Sequence, residues 1–427
     1  MRAESARGVL LVALVAGVLA VPAERLVAAP EGAAVGVVTL DRKTTTARFA
    51  SLGPEALRVV PKGASAVTIP LDSIREARFS PEAIAPPPYP RLRVSLVGGE
   101  EIVAEYWSPA EEGITLRGPG IGELTVPFDL VRTMVTVPTD AGPCHDPAEI
   151  HGPKPGSDVA YLGSGDEIRG TVSEAAAEGL VLELERGQRR TILWADLLVA
   201  QMENPAPPPP KGALVEVETA DGSRLLSEAA SGDEATGITL TLRSDGKTRV
   251  VVPLAAVSVL RFSGGRFAYA SDLPFESAYT HYNGERLDAA SVAFLANWYR
   301  VRADRHADGC PLRMNGVGYR HGFSAHSRSG ITLRLGKAWK TFEADFGIDD
   351  GAKSRATGAP GGNVDARILG DGKVLWEATG VKGGEAPRVA GPVDVAGVDV
   401  LVLVVDFGQG QNELDRAVWG SPILVRK

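Results

Sequence analysis

The sequence predicts an all-β protein in which small β-barrels in tandem are followed by a larger β-sandwich. Three observations carry that prediction. A strand-like phrase recurs four times, at spacings of 57, 66 and 60 residues. Short segments alternating apolar and polar residues are bounded by Gly, Asp-Gly and Pro, the pattern of half-buried strands and tight turns. Runs long enough for long helices are scarce in a chain of 427 residues with 49 Gly and 30 Pro. At roughly 100–200 residues per domain, that length holds several domains.

The recurring phrase is Ile69-Pro70-Leu71-Asp72-Ser73-Ile74, then Val126-Pro127-Phe128-Asp129-Leu130-Val131, Ile192-Leu193-Trp194-Ala195-Asp196-Leu197 and Val252-Pro253-Leu254-Ala255-Ala256-Val257. Upstream of the last three copies, an alternating strand leads to a turn, as in Leu214-Val215-Glu216-Val217-Glu218 before Asp221-Gly222. A second strand then follows a glycine, as in Gly237-Ile238-Thr239-Leu240. The units are therefore 31–80, 91–137, 157–203 and 211–263. At about 45–50 residues each, they sit near the smallest size that folds alone. A strongly bent five-strand barrel removes exposed edges at that size, and the units resemble small Sm-like or SH3-like barrels. Pro86–Pro90, 138–156 and Pro205–Pro210 fall between units and read as stiff, extended spacers.

The N-terminus has Arg2 and Arg7 before an apolar run, Val9 to Val21, then small residues around Ala23 and Ala29. This describes a secretory signal over residues 1–29, with an uncleaved anchor as the alternative. The run has 13 residues, short of the roughly 20 that span a bilayer. The expected location is secreted or periplasmic. Cys144 and Cys310 either pair across the chain or remain buried thiols. His145, Asp146 and His151 lie beside Cys144, in a spacing that fits no standard zinc pattern. Net charge is −8, which argues against nucleic acid, whose phosphates require clustered Lys and Arg.

Beyond Ser263 the aromatics become denser and four of the six His appear. Strand phrases run through Ile331–Leu335, Thr341–Phe346, Val364–Leu369, Lys373–Trp376 and Val398–Val405, with Asp371-Gly372 as a hairpin turn. One short helix is expected over Asp288–Ala296. Several phrases here share a pattern: Tyr269-Ala270-Ser271-Asp272-Leu273-Pro274; Asp308-Gly309-Cys310-Pro311-Leu312-Arg313-Met314; Tyr319 to Ser329 with its Gly-x-x-x-His-x-x-Ser core; Phe342 to Asp350; Asp371 to Trp376; and Asp415-Arg416-Ala417-Val418-Trp419. In this order they resemble the NPCBM module, the carbohydrate-binding module associated with glycoside hydrolase family 98, across residues 267–427. The resemblance implies a galactose-binding-like jelly-roll β-sandwich that holds sugars and has no catalytic role. Arg416 and Val418 depart from the family's closing phrase, and Gly351–Gly362 is a loop of this chain's own style.

Sugars offer hydroxyls to polar side chains and C–H faces to aromatic rings, so a sugar site needs both on one rim. The carbohydrate-binding candidates are His326, Trp339, Trp419 and Asp415. His326 either bonds a hydroxyl or is satisfied by backbone. Trp339, between Lys337 and Lys340, is the candidate exposed platform, with an edge residue covering the core as its alternative. Trp419 either stacks on a sugar beside Asp415 or, more often for its place in a sandwich, fills the core; Trp376 reads as core. Asp349 and Asp350, with Asp415, are candidate ligands of a structural calcium, against a role in capping loops.

No Gly-x-Ser-x-Gly elbow, His-Glu-x-x-His motif or room for a (β/α) barrel remains. The sequence thus predicts an exported, non-catalytic protein that binds carbohydrate, galactose-type glycans among them, through its C-terminal sandwich. The N-terminal repeats serve as spacers or as sites for protein partners. A structural scaffold binding protein partners is the alternative, and a glycoside hydrolase accessory protein with its own activity the remote one.

Overall fold

The computed structural model describes residues 32–81, 88, 90–137, 156–208, 210, 212–281, 287–306, 308–410 and 412–426. The expected signal segment, and Cys144 with His145, Asp146 and His151, lie outside the described residues. No helix among the described residues is long and apolar enough to cross a membrane.

The first unit holds β1 (Ala34–Thr39), β2 (Thr44–Leu52), β3 (Ala56–Pro61), β4 (Val67–Pro70) and β5 (Ile74–Phe79). Its strands pair antiparallel in the order β4-β3-β2-β1-β5. The second unit has β6 (Arg91–Leu96), β7 (Glu101–Ala110), β8 (Gly113–Gly118), β9 (Gly122–Pro127) and β10 (Val131–Thr136). The third has β11 (Asp158–Leu162), β12 (Glu167–Ala175), β13 (Gly179–Glu183), β14 (Arg189–Leu193) and β15 (Leu197–Gln201). The fourth has β16 (Leu214–Thr219), β17 (Arg224–Ser227), β18 (Ala230–Asp233), β19 (Gly237–Thr241), β20 (Arg249–Val252) and β21 (Val257–Ser263). Units one to three repeat one pairing order; in the fourth, β17 pairs with β16 and β18 with β19, and in all four the last strand returns to the first.

The recurring phrase is the link into that returning strand. In units one, two and four it forms a 3-10 turn, Leu71–Ser73, Phe128–Leu130 and Leu254–Ala256. Pro70, Pro127 and Pro253 precede these turns with φ near −60°, the angle the proline ring imposes. The third copy has Leu193 in that place and makes a plain turn over residues 194–196. The side chain that follows plugs the unit in the first three copies: Leu71, Phe128 and Trp194 are all buried.

The linkers do not hold four separate bodies apart. β10 pairs with β15, and β5 pairs with β21, so units two and three join by their last strands, as do units one and four. β17 also touches β7, and β18 touches β2. Each pairing covers backbone groups that would otherwise lie on an open edge. The expectation of stiff spacers between independent barrels therefore gives way to one continuous assembly with a shared core.

The C-terminal region begins with β22 (Phe267–Tyr269), β23 (Phe275–Tyr279), the helix α1 (Ala289–Trp298) and β24 (Arg302–Ala303). The helix starts where the sequence suggests, at Asp288, whose carboxylate accepts from Ser291 N at 2.7 Å. A hairpin of β25 (Leu312–Met314) and β26 (Val317–Tyr319) precedes β27 (Gly322–His326), β28 (Ser329–Arg334) and β29 (Trp339–Ile348). The last strands are β30 (Asn363–Gly370), β31 (Lys373–Lys382), β32 (Arg388–Asp394), β33 (Val400–Phe407) and β34 (Arg416–Arg426). One sheet runs β24-β27-β34-β29-β32 and the other β23-β28-β33-β30-β31. Between them lie Phe323, Phe342, Phe346, Leu403 and Trp419, the filling of a β-sandwich. Asp371 and Gly372 both have positive φ and turn β30 into β31, as the Asp-Gly pair predicts.

The sandwich is not a pendant module. Phe267, Tyr269 and Ile423 belong to the core of the N-terminal assembly. Charged pairs ring this seam. Arg42 meets Asp345 at 2.7 Å, Arg305 meets Glu101 at 3.0 Å, and Arg75 is paired with Glu343.

Candidate functional site

At one end of β27 the chain builds a small recess. It is lined by Ser324, Ala325 and His326 of β27 and by Trp298, Tyr299 and Arg300 at and just after the end of α1. His306, Asp308 and Arg416 complete the lining. The space it encloses is only about 30 Å³, far below the roughly 300–1,000 Å³ typical of small-ligand sites, so a ligand here would rest against the rim rather than enter.

His326 is buried, with its ring stacked on Tyr299 at 3.8 Å between centroids. Its Nδ1 lies 3.0 Å from the Ser327 carbonyl, which only accepts, so Nδ1 carries the proton. Nε2 is then the acceptor. Burial pulls the imidazole pKa down to about 4, with Arg416 and His306 adding in the same direction, so the ring is neutral at ordinary pH. Asp308 supplies the fixed negative charge. Its carboxylate faces His306 Nδ1 at 3.0 Å, accepts from Cys310 N at 3.2 Å and faces Arg416 Nη1 at 3.4 Å. The hydrogen bond from His306 holds its pKa at about 2. Trp298 stands 54% exposed, its ring parallel to that of Phe294 at 6.2 Å. A neutral acceptor, an anionic acceptor, a guanidinium donor and an open indole face thus share one rim.

The structure brings one of the four sequence candidates into this recess, His326. Asp415 is not among the lining residues; it is buried, accepting from Ser327 Oγ at 2.5 Å and Asn363 N at 2.8 Å. It holds the segment that follows His326, and burial raises its pKa to about 6. Trp339 is not the exposed platform expected from its lysine neighbours. It is 5% exposed, with the Arg426 guanidinium 4.4 Å above its ring. β29 starts at Trp339, earlier than the phrase pattern suggests, and turns the indole inward. Trp419 is fully buried, 4.4 Å from Phe346, in the core role its position favours. Trp376 is partly buried and covers the same cluster at 5.9 Å from Trp419.

Asp349 and Asp350 cap loops. The oxygens of Asp349 accept from Arg313 N and Gly351 N, and those of Asp350 from Asn315 N and Gly316 N. A backbone N–H thus meets each of the four oxygens, the loop-capping role that the sequence offered beside the calcium reading. Cys310 is disulfide-bonded, while Cys144 lies outside the described residues.

Trp298, Tyr299, His306, Asp308 and Arg416 were not singled out as site residues from the sequence. The one available signal was Arg416, a departure from the family phrase in the strand that pairs with His326.

A comparison of the sequence with family models matches the NPCBM/NEW2 domain over residues 267–425. These residues are an NPCBM domain. All of the recess belongs to it. A curated protein of Renibacterium salmoninarum, named "Putative endo-alpha-N-acetylgalactosaminidase", is 38% identical over 112 residues, 26% of this chain. The chain spans 7% of that protein's length. Among solved structures, the CBM51 of a Clostridium perfringens GH95 in complex with methyl-galactose is 20% identical, covering 37% of this chain and 99% of its own, at a TM-score of 0.30. The tandem CBM51 modules of a Streptococcus pneumoniae family 98 glycoside hydrolase are 12% identical, covering 78% of this chain and 88% of theirs, at 0.29.

Proposed function

We propose that this protein binds carbohydrate without cleaving it, through the recess of the NPCBM domain. The observation that carries the reading is the joint presence of neutral His326, anionic Asp308, Arg416 and the exposed Trp298 ring on one rim. His326 Nε2 and Asp308 accept from sugar hydroxyls, Arg416 donates to one, and Trp298 covers a C–H face. The membership of the domain in a carbohydrate-binding family supports this chemistry. The name of the Renibacterium relative makes galactose-type glycans the first to test.

Export is part of the same proposal. The basic start and apolar run before Ala23 and Ala29 support it, and so does a disulfide-bonded Cys310, since disulfides persist in oxidising compartments. The N-terminal units, joined to the NPCBM domain by a shared core, act in this reading as its platform.

The test is a glycan array followed by calorimetry on the folded chain. Binding should weaken at least about tenfold, about 1.4 kcal/mol, in Trp298→Ala and in His326→Ala. A folded protein that retains no glycan of any class would overturn the sugar reading and leave a scaffold that binds protein.

A further inference from the structure

At the opposite end of β27 from the recess lies a second cluster that the sugar reading does not use. Asp272, Asp304 and His321 each present one ligand atom, and these atoms all lie within 4.8 Å of one another. Asp272 closes the 3-10 turn after β22, Asp304 follows β24, and His321 precedes β27. His321 is 5% exposed, and its Nδ1 is buried without a hydrogen-bond partner. That nitrogen points at the two carboxylates, 3.3 Å from Asp272 Oδ1 and 3.7 Å from Asp304 Oδ2. The nitrogen and the two carboxylate oxygens thus converge on one point.

We propose that Asp272, Asp304 and His321 form a divalent transition-metal site, with Zn²⁺ as its best-matched ion. Ligand atoms about 2.0–2.1 Å from a tetrahedral Zn²⁺ lie roughly 3.3–3.4 Å apart, close to the spacings around Nδ1. One imidazole and two carboxylates suit zinc, whereas calcium takes six to eight oxygens. The supporting contacts are of the kind that orient metal ligands. Asp304 Oδ1 accepts from Gly322 N at 2.9 Å, which turns Oδ2 toward the histidine. His321 Nε2 faces Glu216 Oε2 at 3.7 Å, placing a carboxylate behind the imidazole. The ring is fixed by stacking on Tyr269 at 3.9 Å. The Asp272 side chain is 39% exposed, giving the ion a way in and leaving room for a water ligand. Because Glu216 belongs to β16 and the three ligands to the NPCBM domain, the ion sits on the seam between the two bodies.

The experiment uses the untagged full chain, stripped with a chelator and titrated calorimetrically with Zn²⁺, Ca²⁺ serving as the comparison ion. One equivalent of Zn²⁺ should bind, and Asp272→Asn and Asp304→Asn should each weaken it at least about tenfold. His326→Ala should leave it unchanged, which separates this site from the recess. Co²⁺ bound in place of Zn²⁺ should show a tetrahedral visible spectrum that both Asp variants lose. Absence of Zn²⁺ binding in the wild type, full affinity in both Asp variants, or a loss confined to His326→Ala overturns the proposal. Both Asp variants carry the test without replacing the buried His321, whose loss could prevent folding.

Discussion

Trp298 and Trp419 are one residue type in opposite roles. Trp419 has no exposed surface and packs on Phe346 and Trp376. Trp419→Ala should cost about 3–5 kcal/mol, seen as a lowered melting temperature. Trp298→Ala, on a helix with no buried residue, should change stability by no more than about 0.5 kcal/mol while losing sugar affinity. The recess also has a defined pH response. His326 has its folded pKa depressed below the value near 6.5 of the unfolded chain, so its neutral form contributes stability that is lost as pH falls from about 6.5 to about 4. Asp308 stays ionised down to about 2. Affinity for sugar should therefore stay level from pH 8 to about 5 and decline near pH 4, where a solvent-exposed histidine would already fail near 6.5. Calorimetry across that range checks it. Asp415 works in the other sense: its raised pKa makes stability fall as pH rises through about 4 to 6. Residue type alone separates none of these roles. A tryptophan between lysines reads as exposed until the strand register turns it inward, as it does Trp339.

The strands themselves were legible, because alternation is a local signal. Leu92, Val94 and Leu96 alternate in the sequence and are the buried residues of β6. The recurring Pro phrases mark the turns before β5, β10 and β21 for the same local reason. The edges were not legible. β21 pairs with β16 on one side and with β5 on the other, so Val259 has ladder neighbours in Glu218 and Arg78. Val259→Pro removes an N–H from a strand paired on both sides. It should open the junction of units one and four, exposing β5 to proteolysis and aggregation. Limited proteolysis and light scattering read that outcome, and cleavage no faster than in the wild type would contradict the pairing.

Across the molecule, the seam between the repeats and the NPCBM domain is held by apolar packing and by a buried charge network centred on Glu216. Burial pushes this carboxyl up, but the guanidinium charges of Arg224, Arg320 and Arg261 oppose it and help hold the pKa well below the usual carboxylate range. Its oxygens lie 2.9 Å from Arg261 and 3.3 Å from Arg224. Glu216→Gln leaves both guanidiniums short of their counter-charge and should cost about 3–5 kcal/mol. Unfolding should then separate into two thermal transitions as the bodies uncouple. By the same linkage, the contribution of Glu216 is present above pH 4.5 and lost as pH falls below it.

The sequence by itself determined the strand-rich architecture, the four repeats and the family of the last third. Each of these is written in local periodicity or in phrases whose order along the chain suffices. Only the tertiary structure decided that unit one joins unit four and unit two joins unit three. It also decided that Trp298, not Trp339, faces the recess, and that Asp272, Asp304 and His321 converge. Those outcomes depend on contacts between residues far apart in the chain, and apolar alternation says which face of a strand is buried without saying which neighbour covers its edge.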